Sequence, residues 1–214
     1  MATSKAAPGR RSGRPTIAEA AQLDRDMKEA ALHLFLTRGY DGTSMEDIAA
    51  AARTTKQSLY SRFRSKEDLF TAVLDWAIER SDWPIPEPER AADPEDLESA
   101  LMAIAESAVQ RVLDPQMVGL ARLAIAQADR FPEVARKTYR MWPRQRVVAN
   151  LLRQYAAAGV IQVDDADLMA EHFLGMVAVA PARLASFGIV RDRRTQRRRT
   201  ETAVQLFLRG LRPD

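Results

Sequence analysis

The stretch Ser44-Met45-Glu46-Asp47-Ile48-Ala49-Ala50-Ala51-Ala52-Arg53-Thr54-Thr55-Lys56-Gln57-Ser58-Leu59-Tyr60-Ser61-Arg62-Phe63 decides how this chain folds. Ser44 is a good N-cap, because its hydroxyl can accept from a free amide of the first helical turn. Asp47, three positions on, can return a bond to the Ser44 amide. The helix that starts there is short, and the small residues Ala49 to Ala52 let another helix approach closely. The chain then breaks at Arg53-Thr54, and Thr55 can cap a new helix from Lys56 to about Phe63. Two short helices joined by so brief a turn, with small residues at their crossing, are expected to form a helix-turn-helix. Leu59 and Phe63, four apart, can anchor the second helix to the first. Thr55, Lys56, Gln57, Ser58, Tyr60 and Ser61 are left for solvent or a ligand. No Asp or Glu lies between Asp47 and Glu67, so that face offers hydroxyls, an amide and positive charge at the positive end of a helix dipole. Such a face suits phosphates and base edges.

Working outward toward the N-terminus, Met27, Ala30, Ala31, Leu34 and Phe35 form one apolar stripe, which predicts a helix over 17–38 stopped by Gly39. His33 lies just off that stripe and reads as a boundary residue. Residues 1–16 are polar, contain Gly and Pro, and are expected to be a flexible basic arm. Within it Ser12-Gly13-Arg14-Pro15 has the form of an arm that lays Arg14 in a DNA minor groove, with a solvated tail as the equal alternative. Toward the C-terminus, Ser65 can cap a helix over 66–81 whose stripe is Leu69, Phe70, Val73, Leu74 and Ile78. The proline-rich stretch 83–88 cannot continue it. Helical spacing then covers 97–113, 117–128, 132–158 with a bend at Pro143, 165–187 and 193–211. No run alternates as a strand would. The expected fold is all-α: the arm 1–16, a three-helix DNA-binding head over 17–66, and a helical effector-binding and dimerisation body over 67–214.

Composition narrows the function. Among 214 residues 46% are hydrophobic, enough to bury a core. The absence of Cys excludes a disulfide framework, a thiolate metal site and a Cys nucleophile. The two His residues are far apart, and there is no phosphate-binding Gly-rich loop and no HExxH pattern, so neither catalysis nor a metal site is expected. No apolar run approaches the roughly 18 residues of a membrane span, and the first residues lack the apolar stretch of a signal peptide. A cytoplasmic protein with no membrane partner is expected. Residues 1–66 carry 12 Lys/Arg against 7 Asp/Glu, whereas the remainder carries 20 against 22. The basic end is the one with the helix-turn-helix.

The pattern Ala31-x-x-Leu34-Phe35-x-x-x-Gly39-Tyr40-x-x-Thr43-Ser44-x-x-x-Ile48-Ala49 resembles the N-terminal domain of TetR/AcrR-family repressors. Thr55-Lys56-x-Ser58-Leu59-Tyr60-x-x-Phe63-x-x-Lys66-Glu67-x-Leu69 resembles its continuation. The resemblance covers about the first third of the chain. It implies a repressor acting as a homodimer on a palindromic operator in double-stranded DNA, released by a small-molecule effector. It also implies phosphate contacts from Thr43, Tyr60 and Lys66, and base reading by Thr55, Lys56, Gln57 and Ser58. Ser44, at the start of the first short helix, joins that set. One departure is the turn, where Arg53-Thr54 replaces the family's Gly-Val. Glycine would accept a left-handed backbone there without strain, so Arg53 implies a local cost or a different turn, and another cation to offer a phosphate.

In the body, Arg130-Phe131-Pro132-Glu133 and Gly159-x-Ile161-x-x-Asp164 resemble one subgroup of the same family. The resemblance pairs the last two long helices with those of a second subunit. Met169, Phe173, Met176, Val177, Ala180 and Leu208 are the candidates for that seam, against an intrachain core stripe. For the effector pocket the candidates are Met102, Met117, Tyr139, Trp142 and Tyr155, which suit an adaptable apolar site. Arg122, Gln127 and His172 could orient a polar group, though each reads more readily as a boundary residue of a helical core. The arginine-rich stretch 191–199 reads as a solvated loop and helix start.

Overall fold

Capping and apolar stripes set where the helices begin and which way they face. The structure, a computed structural model, describes residues 16–79, 94–134, 136 and 143–211. The arm with Arg14, the stretch 83–88, Tyr139 and Trp142 lie outside the described residues. Ten helices are described: α1 (Ile17–Arg38), α2 (Met45–Ala51), α3 (Lys56–Arg62), α4 (Lys66–Glu79), α5 (Pro94–Leu113), α6 (Pro115–Ala126), α7 (Pro143–Ala157), α8 (Ala166–Leu174), α9 (Ala180–Ser186) and α10 (Arg193–Arg209). A π-helical turn, Gly175–Val179, joins α8 to α9 without a break. The described residues contain no strand.

Helix α1 starts at a cap that sequence reading passed over. Thr16 accepts from the Glu19 amide at 3.2 Å, and the Glu19 carboxylate accepts from the Thr16 amide at 2.8 Å. Thr-x-x-Glu is the capping-box pattern, so Thr16 belongs to the helix and not to the arm. Of the expected helix over 132–158, residues 132–134 and 136 are helical, 135 and 137–142 lie outside the described residues, and α7 runs from Pro143. A proline fits the first turn of a helix, where its missing amide costs nothing.

Two apolar clusters result. The first contains Met27, Phe35, Tyr40, Ile48, Leu59, Phe63, Leu69, Phe70 and Val73, but also Leu120 and Leu123 of α6 and Val134. The head's core therefore does not stop at Lys66: it runs up α4 and onto the body. Gly119 allows that contact, since a Cβ there would stand 2.9 Å from Cδ2 of Leu36 on α1. The second cluster joins α5, α7, α8 and α10 through Leu101, Ile104, Val148, Leu152, Tyr155, Phe173, Val177 and Phe207.

The continuous helix Ala166–Ser186 has 21 residues, with a mean hydropathy of 1.2 over its most apolar 18. It thus has the length and apolar composition of a membrane span, contrary to expectation. One face of it, Ala170, Phe173, Leu174, Val177 and Ala178, is buried in the second cluster, as a core helix requires.

Candidate nucleic-acid interface

The helix-turn-helix is held by its caps. Ser44 Oγ accepts from the Asp47 amide and Asp47 accepts from the Ser44 amide, both at 3.1 Å. Hydrogen bonding to Ser44 keeps the Asp47 carboxyl below its ordinary range. Thr55 Oγ1 accepts from the Ser58 amide at 3.1 Å. Between the two helices the Thr54 amide reaches the Ala49 carbonyl at 2.9 Å and the Arg53 amide reaches that of Ala50 at 3.1 Å. That is a Schellman ending, which needs a left-handed residue after the cap. Arg53 fills it with φ of 50°, the single non-glycine residue at positive φ among those described.

Leu59 and Phe63 are buried at 0% and 8% exposure, anchoring α3 as their spacing predicts. Lys56, Gln57, Ser61 and Arg64 are exposed, as is Arg53 beside them; Tyr60 is 42% exposed and Ser58 half-buried. Lys56 is not free, however. Its Nζ is ion-paired with Glu46 of α2 and stands 5.7 Å from the Tyr60 ring centroid. The acid-free run of sequence is therefore not an acid-free face: Glu46 lies just outside the run and folds back onto it. Arg62 is paired with Asp24 of α1 at 3.5 Å.

Two of the expected phosphate-binding side chains hold the scaffold. Thr43 is 2% exposed and its hydroxyl donates to the Gly39 carbonyl at 2.8 Å. A direct phosphate contact by that side chain is corrected to a turn-stabilising bond, because its oxygen is turned inward. Lys66 Nζ donates to the carbonyls of Tyr40 and Thr43, both at 3.0 Å, and stands 4.2 Å from the Tyr40 ring centroid. Two of its three protons are thus committed.

Behind this face lies a set of contacts that sequence reading missed. Arg130, in the turn after α6, bonds Glu67 at 2.7 Å and Asp41 at 3.5 Å. Glu67 also accepts from the Tyr40 hydroxyl at 2.8 Å. Hydrogen bonding by its own helix amide and then by Tyr40, with Arg130 adding to both, lowers the Glu67 carboxyl to about 2. Burial and the Glu67 carboxylate push the Tyr40 phenol up. The Arg130 guanidinium lies 4.6 Å from the Tyr40 ring centroid, on which Phe70 and Phe131 pack edge-on. The next arginine back on α6, Arg122, donates to the carbonyls of Ser186 and Ala185 at 2.9 and 3.0 Å, closing the end of α9. One segment of the body thus grips the head at one end and the last turn of α9 at the other.

The described members of the expected effector set fall in different parts of the fold. Met117 packs on the head cluster, while Met102 and Tyr155 belong to the body cluster. Arg122 is spent on α9, Gln127 is the half-buried cap residue of α6, and His172 is exposed. The expected seam also divides. Phe173 and Val177, at 0% and 2% exposure, serve the chain's own core, where Phe173 packs on Phe207 with centroids 4.9 Å apart. Met169 and Leu208 are half-buried against the same core. Met176 and Ala180 face outward, together with Leu168, Val179 and Leu206, and a groove runs between Met176 and Ala180 on one side and Arg199, Ala203 and Leu206 of α10 on the other. The expected seam thus divides into buried and outward positions although its spacing is three and four, and the π-helical turn Gly175–Val179, which departs from that period, lies within it.

A three-helix head with an exposed, donor-rich third helix, locked to an all-helical body, defines the class of helix-turn-helix regulators. The chain belongs to the TetR family of bacterial regulatory proteins: residues 29–73 match the model "Bacterial regulatory proteins, tetR family" and 99–211 match "AefR-like transcriptional repressor, C-terminal domain". Among curated relatives it is 41% identical over 69 residues to the HTH-type transcriptional repressor ComR of Escherichia coli, covering 32% of this chain and 30% of ComR. It is 29% identical over 109 residues to the HTH-type regulator YezE of Bacillus subtilis, covering 50% and 55% of the two chains. The chain thus spans well under two thirds of either relative's length. Solved structures match almost throughout. A TetR-family regulator of Mesorhizobium loti is 29% identical with a TM-score of 0.73, covering 91% of this chain and 98% of that one. The flavonoid-responsive regulator FrrA is 28% identical with a TM-score of 0.75, covering 90% and 98%.

Proposed function

We propose that this protein is a cytoplasmic, ligand-responsive transcriptional repressor that binds a palindromic operator as a homodimer. The observation that carries the reading is the outward face of α3. Gln57 and Ser61 point to solvent, Arg53, Lys56 and Arg64 surround them with positive charge, and the family membership supplies the context. Gln57 is the side chain suited to a bidentate contact with adenine, and the cations and hydroxyls are suited to phosphates. Arg14, in the arm, would add a minor-groove contact.

Dimerisation is supported by the outward apolar row Leu168, Met176, Val179 and Leu206, a patch that favours a partner of the same kind. In a DNA-bound dimer the two α3 helices would stand about 34–36 Å apart, one turn of duplex. A ligand in the body would favour another spacing. The α6 segment that touches both α9 and the head is suited to relay that change. A coupling of about 1–3 kcal/mol suffices to alter operator affinity 5- to 150-fold.

Selection of bound DNA from a random duplex pool tests the reading. Enrichment of an inverted repeat is expected, whereas recovery of no preferred sequence would overturn it.

A further inference from the structure

Two arginines that neither the DNA-facing surface nor the Arg130 contacts use lie inside the body. Arg144, in the first turn of α7, is 2% exposed, and Arg111, near the end of α5, is 8% exposed. Ser107 and Arg111 are four apart and so share a face of α5. Arg144 Nη2 donates to Ser107 Oγ at 2.8 Å, and Arg111 Nη2 donates to the carbonyl of Ile78 on α4 at 3.4 Å. Both acceptors are neutral. Arg144 Nε is buried and has no hydrogen-bond partner among the described residues. Neither guanidinium is in an ion pair with a described carboxylate.

The two cations also act on each other. Burial first, and then the Arg111 charge, pull Arg144 down to about 10; burial lowers Arg111 too, with Asp114 opposing. Asp114 is already occupied as the cap of α6, accepting from the Gln116 and Met117 amides at 2.9 and 3.1 Å. Both arginines stay charged at neutral pH. Buried charge without a counter-charge is costly, and proteins retain it where something else supplies the opposite sign. The same faces of α5 and α7 carry Ile104, Ala108 and Val148, all buried. A small hydrated ion gains nothing from such apolar neighbours.

The geometry points to an organic anion as the effector, a carboxylate on an apolar body, with Arg111 and Arg144 as the anchor for its charge. This rests on the reading of the chain as an effector-controlled regulator. A guanidinium edge with a free Nε matches two oxygens of one carboxylate, a fit that an ammonium lacks. The location gives the ligand something to move. Arg111 holds the last turn of α4, the helix that rises out of the head, and an anion competing for Arg111 loosens that hold. A ligand shifts an equilibrium only through such a difference between states.

The test uses the full chain without DNA. Melting temperature is followed against decanoate and phenylacetate, against the uncharged decanol and phenylethanol, and against inorganic phosphate. At least one acid should raise it by several degrees in a saturable way while its alcohol does not. Arg144→Gln should weaken that acid at least about tenfold, and its ligand-free melting point should equal or exceed that of the unaltered chain, because an uncompensated charge has gone. Arg144→Lys, which keeps the charge but not the flat edge, should fall between the two. The proposal is overturned by no shift with either acid, by equal shifts with acid and alcohol, or by unchanged affinity in Arg144→Gln. A ligand-free Arg144→Gln that melts several degrees lower, or does not fold, also overturns it, since the arginine is then structural. A shift with phosphate alone, lost in Arg144→Gln, assigns the site to free phosphate and overturns the organic acid. Operator binding is measured separately on the selected DNA. An Arg144-dependent acid site with no effect on DNA binding leaves the anion site standing and overturns its assignment as the effector.

Discussion

At Arg53 the backbone does what the sequence warned of. The α2–α3 turn closes with the Thr54 and Arg53 amides on the carbonyls of Ala49 and Ala50, and that closure demands a positive φ whatever residue stands there. A non-glycine residue in the left-handed region costs about 1–2 kcal/mol. Glycine removes that cost but gives back part of the gain as extra freedom in the unfolded chain. Arg53→Gly is therefore expected to raise stability by about 1 kcal/mol in denaturant unfolding. It should also reduce the salt dependence of DNA binding by about 0.9 in the logarithmic slope if the side chain neutralises one phosphate. Lower stability would mean that the arginine makes contacts worth more than the strain. More stability with an unaltered salt slope would leave Arg53 as a strained bystander. The position was legible because the requirement is backbone geometry, which a family-typical glycine advertises and an arginine cannot hide.

Elements were legible wherever a local rule fixes them. Ser44 with Asp47, Thr55 with Ser58, and the Leu59/Phe63 pair are contacts three or four residues apart, and the structure has all of them. Contacts between elements were not legible. Glu46 lies one residue outside the acid-free run, yet α2 delivers it to Lys56. The salt bridge is exposed, so its removal should leave folding stability unchanged, but it withholds a cation from DNA. Glu46→Gln should strengthen binding to any duplex and steepen the salt dependence by up to about 0.9; an unchanged slope would show that phosphate already displaces the glutamate. Lys66 makes the opposite case. Its bonds to the Tyr40 and Thr43 carbonyls join the first residue of α4 to the α1–α2 turn. Lys66→Ala should cost about 1–3 kcal/mol by leaving the Thr43 carbonyl unsatisfied, while that of Tyr40 keeps the Thr43 amide. Stability retained within error would return Lys66 to the role of a phosphate ligand alone.

At the scale of the molecule, sequence periodicity gave each helix an apolar side but could not say which cluster that side joins. Met117 and Tyr155 looked like partners in one pocket and belong to different cores. Phe173 and Met176 looked like one seam, yet the first is buried in the chain's own core and the second is 39% exposed. The division sharpens the dimer test: Leu206→Glu, on the outward row, should convert dimer to monomer in sedimentation while the helical content stays. A dimer that survives that charge would place the interface elsewhere. It also isolates the join between the two halves. Arg130 is exposed, so its ion pairs with Glu67 and Asp41 contribute little to folding stability. They are nevertheless the polar connection from the end of α6 to both α4 and the α1–α2 turn. If that connection transmits ligand binding, Arg130→Ala should leave intact the affinity for DNA without ligand and the affinity for ligand without DNA. Only the product should change: ligand added to the variant bound to its selected operator should release it less than ligand added to the unaltered complex. Measuring all four corners of that cycle gives the coupling directly. A variant with full coupling would move the relay to the apolar contact of Gly119 on Leu36, where α6 lies against α1.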